Sequence, residues 1–213
     1  MVRISIIQSK EDYDFYLEAD RIALNTTLKR PRLFQDEVWK FERLLRKVEF
    51  LKNCGKNTLD KFALLQARFC LKKLSVQLGF TISPNVFGPG LSIAHRGSIV
   101  VQPDAKIGEN CRIHQCVTIG SILSGGGELA RYGYETPANM VPRIGNNVFI
   151  GPGAVIIGGI EIADGIAIGA NSYVNQSFAE PEITIAGCPA KKISNKGSKY
   201  CWFRATEILR SAR

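Results

Sequence analysis

The sequence predicts a mainly β chain, in which a small N-terminal α-helical domain precedes a parallel β-helix of six-residue repeats. Residues 11–78 space their apolar side chains as a helix does, whereas after Phe80 an aliphatic residue recurs at every sixth position. The chain has 213 residues, of which 45% are hydrophobic, so it can bury a core. We expect a helical domain at 1–80, a β-helix at 81–193 and a C-terminal tail, also helical, at 194–213.

The helical half contains two segments that each have one apolar face. Turn-forming residues at 53–57 separate the segments, and Pro31 limits any helix that precedes the first. The apolar positions lie three or four residues apart, which predicts two antiparallel helices. They are Val38, Phe41, Leu45 and Val48 in the first segment, and Leu64, Ala67, Leu71, Leu74 and Leu78 in the second.

The six-residue spacing after Phe80 occurs in two registers. Each aliphatic residue is followed four positions later by another small or medium apolar residue, so each repeat has two inward positions. A chain that turns a corner every six residues closes a triangular coil of about 18 residues, and coils stack about 4.8 Å apart. The aliphatic positions are Val101, Ile107, Ile113 and Ile119, then Ile144, Ile150, Ile156, Ile162, Ile168 and Val174.

The spacing breaks at residues 121–143, between the two registers. This segment contains three consecutive glycines at 125–127 and a proline at 137, and it is too irregular to form a coil. It predicts an extended loop that leaves the β-helix. Long loops in compact domains are usually functional or disordered, and a simple surface insertion is the alternative.

Composition excludes several classes of protein. The net charge is +9, but the sequence has no zinc-finger spacing and no RNA-binding motif, so we expect no nucleic-acid partner. The positive charge at residues 29–47 and from 191 onward is either a solvated face or an attraction for a polyanionic cofactor or a phosphorylated acceptor. Six cysteines without a CxxC pair, and two histidines, predict no metal site. No signal-peptide core or membrane-spanning run is present, which favours a cytoplasmic protein.

The repeats at 107–112 and 168–173 resemble those of hexapeptide acyltransferases, whose β-helix is left-handed. The segments 85–91, 150–154 and 186–191 resemble motifs of serine acetyltransferases, particularly the shorter type found with bacterial surface-polysaccharide enzymes. The resemblance implies an O-acetyltransferase that uses acetyl-CoA and needs no metal. It also implies a cyclic homotrimer in which the loop walls the site of a neighbouring subunit.

Two histidines could supply the base that takes the proton of an acceptor hydroxyl. His95 lies in a segment similar to the one that carries the catalytic base of serine acetyltransferases, which implies that His95 is the general base. His114 lies about one coil further along, where it could be a second-shell partner, an acceptor contact or a wall residue. Arg96 is a further candidate for the second shell or the acceptor.

Three departures from serine acetyltransferases bear on the acceptor. Ala94 stands where the serine-specific enzymes have an acidic residue, Met140 and Val141 stand where they have an Arg-His pair, and the N-terminal half is shorter. The sequence therefore favours a sugar hydroxyl of a surface-polysaccharide precursor as acceptor, with L-serine as the close alternative. A trimeric β-helix scaffold without catalysis is the alternative of another class.

Small residues at the corners of the last coils would let a narrow pantetheine arm lie against the backbone, whose amides could bond it. The alternative is that these glycines are only corner residues. Two lysines follow, where ammonium groups would suit the phosphates of acetyl-CoA. The candidate residues are Gly151, Gly153, Gly169, Ala170 and Gly187 for the arm, and Lys191 and Lys192 for the phosphates.

Overall fold

The computed structural model describes residues 6–121 and 140–212. Three helices come first: α1 (Lys10–Ala23), α2 (Glu37–Cys54) and α3 (Thr58–Leu78). Most of the predicted loop at 121–143 lies outside the described residues. The described strands are β1 (Phe80–Thr81), β2 (Ser92–Ile93), β3 (Ile99–Val101), β4 (Lys106–Ile107), β5 (Arg112–Ile113), β6 (Thr118–Gly120), β7 (Arg143–Ile144), β8 (Phe149–Ile150), β9 (Val155–Ile157), β10 (Glu161–Ile162), β11 (Ala167–Ile168), β12 (Tyr173–Val174), β13 (Thr184–Gly187) and β14 (Ala190–Ser194).

The helices begin and end where local chemistry dictates. The Asn57 side chain accepts the amide of Asp60, whose carboxylate accepts the amide of Asn57, and this capping box starts α3. Gly79, at φ +80°, ends the helix because glycine adopts the left-handed region without steric cost. The predicted apolar faces of α2 and α3 pack together, with Phe41 and Leu45 fully buried. The two helices therefore present one continuous apolar surface to the β-helix.

The strands form the three faces of a triangular prism. Their orders are β1-β3-β6-β9-β12, β4-β7-β10 and β2-β5-β8-β11-β13-β14, and every pair is parallel except β13 with β14. Ile144 pairs with Ile162 and Ile150 with Ile168, so each of these coils takes 18 residues. The inward isoleucines stack in columns and are fully buried, which supplies the core. Most connections between successive strands are four residues long, which leaves no room for helices within the prism.

The two registers of isoleucines belong to one β-helix. Ile107 pairs directly with Ile144, and Ile119 pairs directly with Ile156. The segment between them is therefore an insertion into a single coil, after which the chain resumes the same column. The coils above and below the insertion share a continuous core.

Buried acidic side chains join the helices to the first coil. Asp20 accepts the amides of Gly90 and Leu91, and Glu42 accepts the amide of Ile93, each at 2.9 Å. These amides point away from the second coil, so no strand pairs with them. The oxygens of these acidic side chains therefore satisfy the open edge of the β-helix.

After β14 the chain returns along the outer face of the third sheet. A 3-10 helix (Ser198–Tyr200) precedes α4 (Ala205–Ser211). The amide of Ser198 donates to the carbonyl of Gly165, and the amide of Thr206 donates to the side chain of Asn110 at 3.0 Å. The indole of Trp202 donates to the carbonyl of Ala23, and Arg210 forms two hydrogen bonds with Glu109. This segment connects the helical half to the β-helix from the side.

Candidate active site

His95 lies at the corner that follows β2, two residues after the inward Ile93. The amide of Ile93 is held by the buried Glu42, and the amide of Ala94 donates to the carbonyl of Ile113 in the coil below. The backbone that carries His95 is therefore fixed from above and below. The imidazole itself is exposed, and so is the neighbouring Arg96, which makes no ion pair with any residue in the described ranges.

His114 lies one coil below, and the structure brings the two histidines together. Their ring centroids are 5.9 Å apart with an angle of 63° between the planes, and Phe149 lies 5.1 Å from His114 on its other side. Burial lowers the pKa of His114, and the charges of Arg112 and His95 lower it further. This direction of the pKa shift favours the neutral form of His114. Its Nε2 atom is buried and has no partner among the described residues.

The outer face of the same sheet carries a polar cluster that sequence reasoning missed. Arg112 donates from Nη1 to the Ser92 hydroxyl at 2.6 Å, and its guanidinium carbon lies 3.3 Å from the ring centroid of Trp202. Burial lowers the pKa of Arg112 to about 10, and the nearby Glu42 opposes this effect. The cluster fixes the wall behind His114. No repeat predicts it, because Trp202 comes from the C-terminal segment, about 90 residues away in sequence.

The predicted small residues line one corner of the prism below the histidines. The sheet register places Gly151, Gly169, Ala170 and Gly187 in two adjacent columns, with Gly153 one position beyond them, and each step down a column is one coil, about 4.8 Å. The corner thus extends about four coils below His95, on the order of 19 Å. Below the second coil, Pro152 is the one larger side chain in the two columns. One column is Ala94, His114, Gly151, Gly169 and Ala186, and the other is His95, Gln115, Pro152, Ala170 and Gly187.

The glycines of this corner have a structural cause. A Cβ added to Gly151 would lie 2.7 Å from the amide nitrogen of Ala170, so the next coil leaves no room for it. Gly153 has φ +72°, a left-handed conformation that side chains rarely adopt. These positions therefore require glycine whether or not a ligand lies along the corner.

The prediction that the corner amides bond the pantetheine arm needs a correction. The amides of Gly151, Gly153 and Gly169 donate to the carbonyls of Ile168, Gln115 and Ile185, at 2.8 to 3.0 Å. Because a parallel coil already uses these donors, they are not free for a ligand. These three positions therefore offer a narrow, smooth surface rather than donors.

The structure separates the two candidate lysines. Both lie on β14, where Lys191 is opposite Ala186 and Lys192 is opposite Ile185. Lys192 forms an ion pair with Glu180, with 2.6 Å between Nζ and Oε1. Lys191 is exposed at the foot of the small-residue columns and has no ion pair with any described residue. Lys191 is therefore the better candidate for a phosphate contact.

Two kinds of feature are absent from the described ranges. Residues 6–121 and 140–212 contain no group of three or more His, Cys, Asp or Glu side chains that could hold a metal ion. No helix in this part of the chain is long and apolar enough to cross a membrane.

Comparison with known proteins shows what the chain is similar to. Residues 142–176 match the family model described as "Bacterial transferase hexapeptide (six repeats)". The serine acetyltransferase of Buchnera aphidicola subsp. Acyrthosiphon pisum is 32% identical over 151 residues, which cover 70% of this chain and 48% of that protein. The chain thus spans about half the length of the curated relatives it matches.

Solved structures show the same likeness. The serine acetyltransferase of Neisseria gonorrhoeae in complex with serine superposes with a TM-score of 0.61 at 26% identity, covering 87% of this chain and 71% of that one. A serine acetyltransferase in complex with CoA gives a TM-score of 0.64 at 24% identity, covering 87% and 72%. The predicted resemblance to hexapeptide-repeat transferases, and among them to serine acetyltransferases, is confirmed. The predicted left-handed β-helix with N-terminal helices is also confirmed.

Proposed function

We propose that this chain is an acetyl-CoA-dependent O-acetyltransferase. One observation carries the proposal. His95 is exposed to solvent at one end of a narrow surface of small residues, and Lys191 lies at the other end. A base at one end and a free cation at the other suit a long thioester that carries phosphates far from its reactive carbonyl. The relatives' names and the CoA-bound neighbour support this arrangement.

In the proposed reaction His95 takes the proton of the acceptor hydroxyl as its oxygen attacks the thioester carbonyl of acetyl-CoA. The tetrahedral intermediate collapses, the C–S bond breaks, and the leaving thiolate of CoA takes the proton from the His95 imidazolium, which restores the base. The neutral form of His114 adds no positive charge beside His95 when His95 becomes an imidazolium. We assign His114 a positioning role and Arg96 a contact with the acceptor.

We propose L-serine as the acceptor, because the relatives are named for it and one neighbour contains it. A sugar hydroxyl, which the sequence favoured, is the second candidate. The specific observations in its favour are Ala94, which has no carboxylate, and Val141, which is buried and has no charge to offer. The groups expected to read the two ends of serine are therefore missing from these two positions.

The test is release of the CoA thiol, measured with L-serine and with a panel of free and nucleotide-linked sugars. His95→Ala should lower turnover by about 10²–10⁴-fold with the acceptor that works, since this is what a positioned base contributes. His95→Gln keeps a side chain of similar size without a basic ring nitrogen, and its turnover should be as slow as that of His95→Ala. Near-normal turnover in both variants would reject His95 as the base. Absence of turnover with every acceptor would favour the scaffold alternative.

We propose that the protein assembles as a cyclic homotrimer with its sites between subunits. The single chain leaves His95 and Arg96 exposed, so another surface must complete a pocket that excludes water. The segment at 121–143 is the proposed contributor. Inactive His95→Ala chains mixed with inactive chains lacking this segment should regain activity in hybrid trimers. A fully active monomer by light scattering would overturn this proposal.

A further inference from the structure

The helical half contains a cavity that the acetyl-transfer proposal does not use. Its volume is about 440 Å³, and all of its lining residues come from α1, α2, α3 and the α1–α2 connection. Small-molecule sites occupy about 300–1,000 Å³, so this cavity is large enough for a ligand. Leu44 and Leu74, which pack against the hydrophobic core, form its apolar floor, and Tyr13 and Pro31 also line it. We name it the helical cavity.

Four cations surround this apolar floor. Lys40, Arg43 and Lys47 lie three and four residues apart on α2, so they share one helix face, and Lys73 faces them from α3. No carboxylate lines the helical cavity. The like charges repel one another, and an anion between them would remove that repulsion.

These cations are free to bind a ligand. Arg43, Lys47 and Lys73 have no ion pair with any residue that the structure describes, and Lys40 donates to the carbonyl of Leu33 at 2.7 Å. Three other cations of the helical half do have carboxylate partners on the neighbouring turn. Those pairs are Lys10 with Asp14, Arg21 with Glu18, and Arg32 with Asp36.

We propose that the helical cavity binds a small organic anion that carries at least two negative charges on an aromatic or other flat apolar body. The guanidinium of Arg43 suits bidentate contact with a phosphate or sulfonate, and the lysine ammonium groups act as point charges. The floor of Leu44 and Leu74 accounts for the apolar body, because purely inorganic anions would leave it in contact with water. The ring of Tyr13 is held against Phe50, with 4.9 Å between centroids, so this wall is preformed.

The probe for this site is pyranine, a fluorescent pyrene that carries three sulfonates, and the measurement is its fluorescence anisotropy with the full chain. Arg43→Gln combined with Lys73→Gln should weaken pyranine binding at least about tenfold, because two charge-assisted contacts are lost. The matched control is Lys56→Gln with Lys61→Gln, which removes the same charge at exposed positions outside the helical cavity. Because physiological salt screens exposed charges, this control pair should change pyranine binding by no more than about twofold.

A second pair of variants tests the site without touching a cation. Cys70 is exposed on the cavity wall, so Cys70→Glu should fold and should repel the probe, whereas Cys70→Ser should bind it as the parent does. Equal weakening in the cavity pair and the control pair would show attraction to overall charge and overturn the proposal. Unchanged binding in the cavity variants, with displacement of pyranine by CoA, would assign the probe to the β-helix and overturn it too.

Discussion

Arg46 is the buried charge on which the junction between the helices and the β-helix depends. Its guanidinium is fully buried and lies 2.8 Å from Asp20 and 3.0 Å from Glu49. It also donates to the carbonyls of Phe87 and Gly88, at 2.9 and 2.7 Å. Arg46→Met keeps the apolar stem but leaves two buried carboxylates without their cation. Removing one partner of a buried pair costs about 3–5 kcal/mol, so the variant should be less stable by that amount.

Thermal unfolding followed by circular dichroism measures this loss. For a chain of this size each kcal/mol lowers Tm by about 2–4 °C, so Tm should fall on the order of 10 °C. The matched control combines Arg46→Met with Asp20→Asn and Glu49→Gln. It removes the charges on both sides, so most of the stability should return, since no buried charge is left unpaired.

Two results would refute this reasoning. If Arg46→Met melts within about 2 °C of the parent, the buried ion pair does not hold the junction. If the triple variant is no more stable than the single one, the cost lies in lost packing or in the two carbonyls rather than in the unpaired carboxylates.

Three further predictions use matched variants. Gly151→Ala should cost about 1–3 kcal/mol in urea unfolding, because its Cβ would meet the next coil, whereas Gly120→Ala, with nothing within 4 Å, should change stability by less than about 1 kcal/mol; equal effects would contradict the steric argument. Burial raises the pKa of Glu42 well above its usual range, so the folded state keeps a proton that the unfolded state releases, and stability falls as pH rises through that window. Glu42→Gln should therefore gain stability over the parent at about pH 8 and not at about pH 4, and the reverse order would count against it. His114→Gln should slow thiol release less than about tenfold, while His95→Gln slows it at least about a hundredfold; comparable losses would make His114 part of the chemistry.

The six-residue spacing was enough to predict the β-helix, for a physical reason. A side chain that must be inward at every sixth position forces the chain to turn at that interval, and few structures other than a triangular coil satisfy this. The spacing could not show how the two registers join. The pairing of Ile107 with Ile144 depends on where the inserted segment re-enters the coil, which no local pattern records.

The surroundings of the histidines were less predictable than the histidines themselves. Their proximity follows from the coil length, because residues about one coil apart stack. The contact between Arg112 and Trp202 joins distant parts of the chain through one cation–π interaction. A single contact of this kind produces no periodic pattern in the sequence. Lys191 and Lys192 look equivalent in sequence, and only the position of Glu180 separates them.

The apolar pattern of α1 and α2 does not predict the role of their acidic residues, yet these residues determine how the β-helix begins. A first coil has amides that point away from the rest of the prism, and a buried amide without a partner costs about 1–3 kcal/mol. Asp20, Glu42 and Glu49 accept four such amides between them. One of these is the amide of Ile93, two residues before His95. The helical half therefore closes the open end of the β-helix and also fixes the backbone that presents His95, so a chain without these helices should lose the geometry of the proposed base together with the cap.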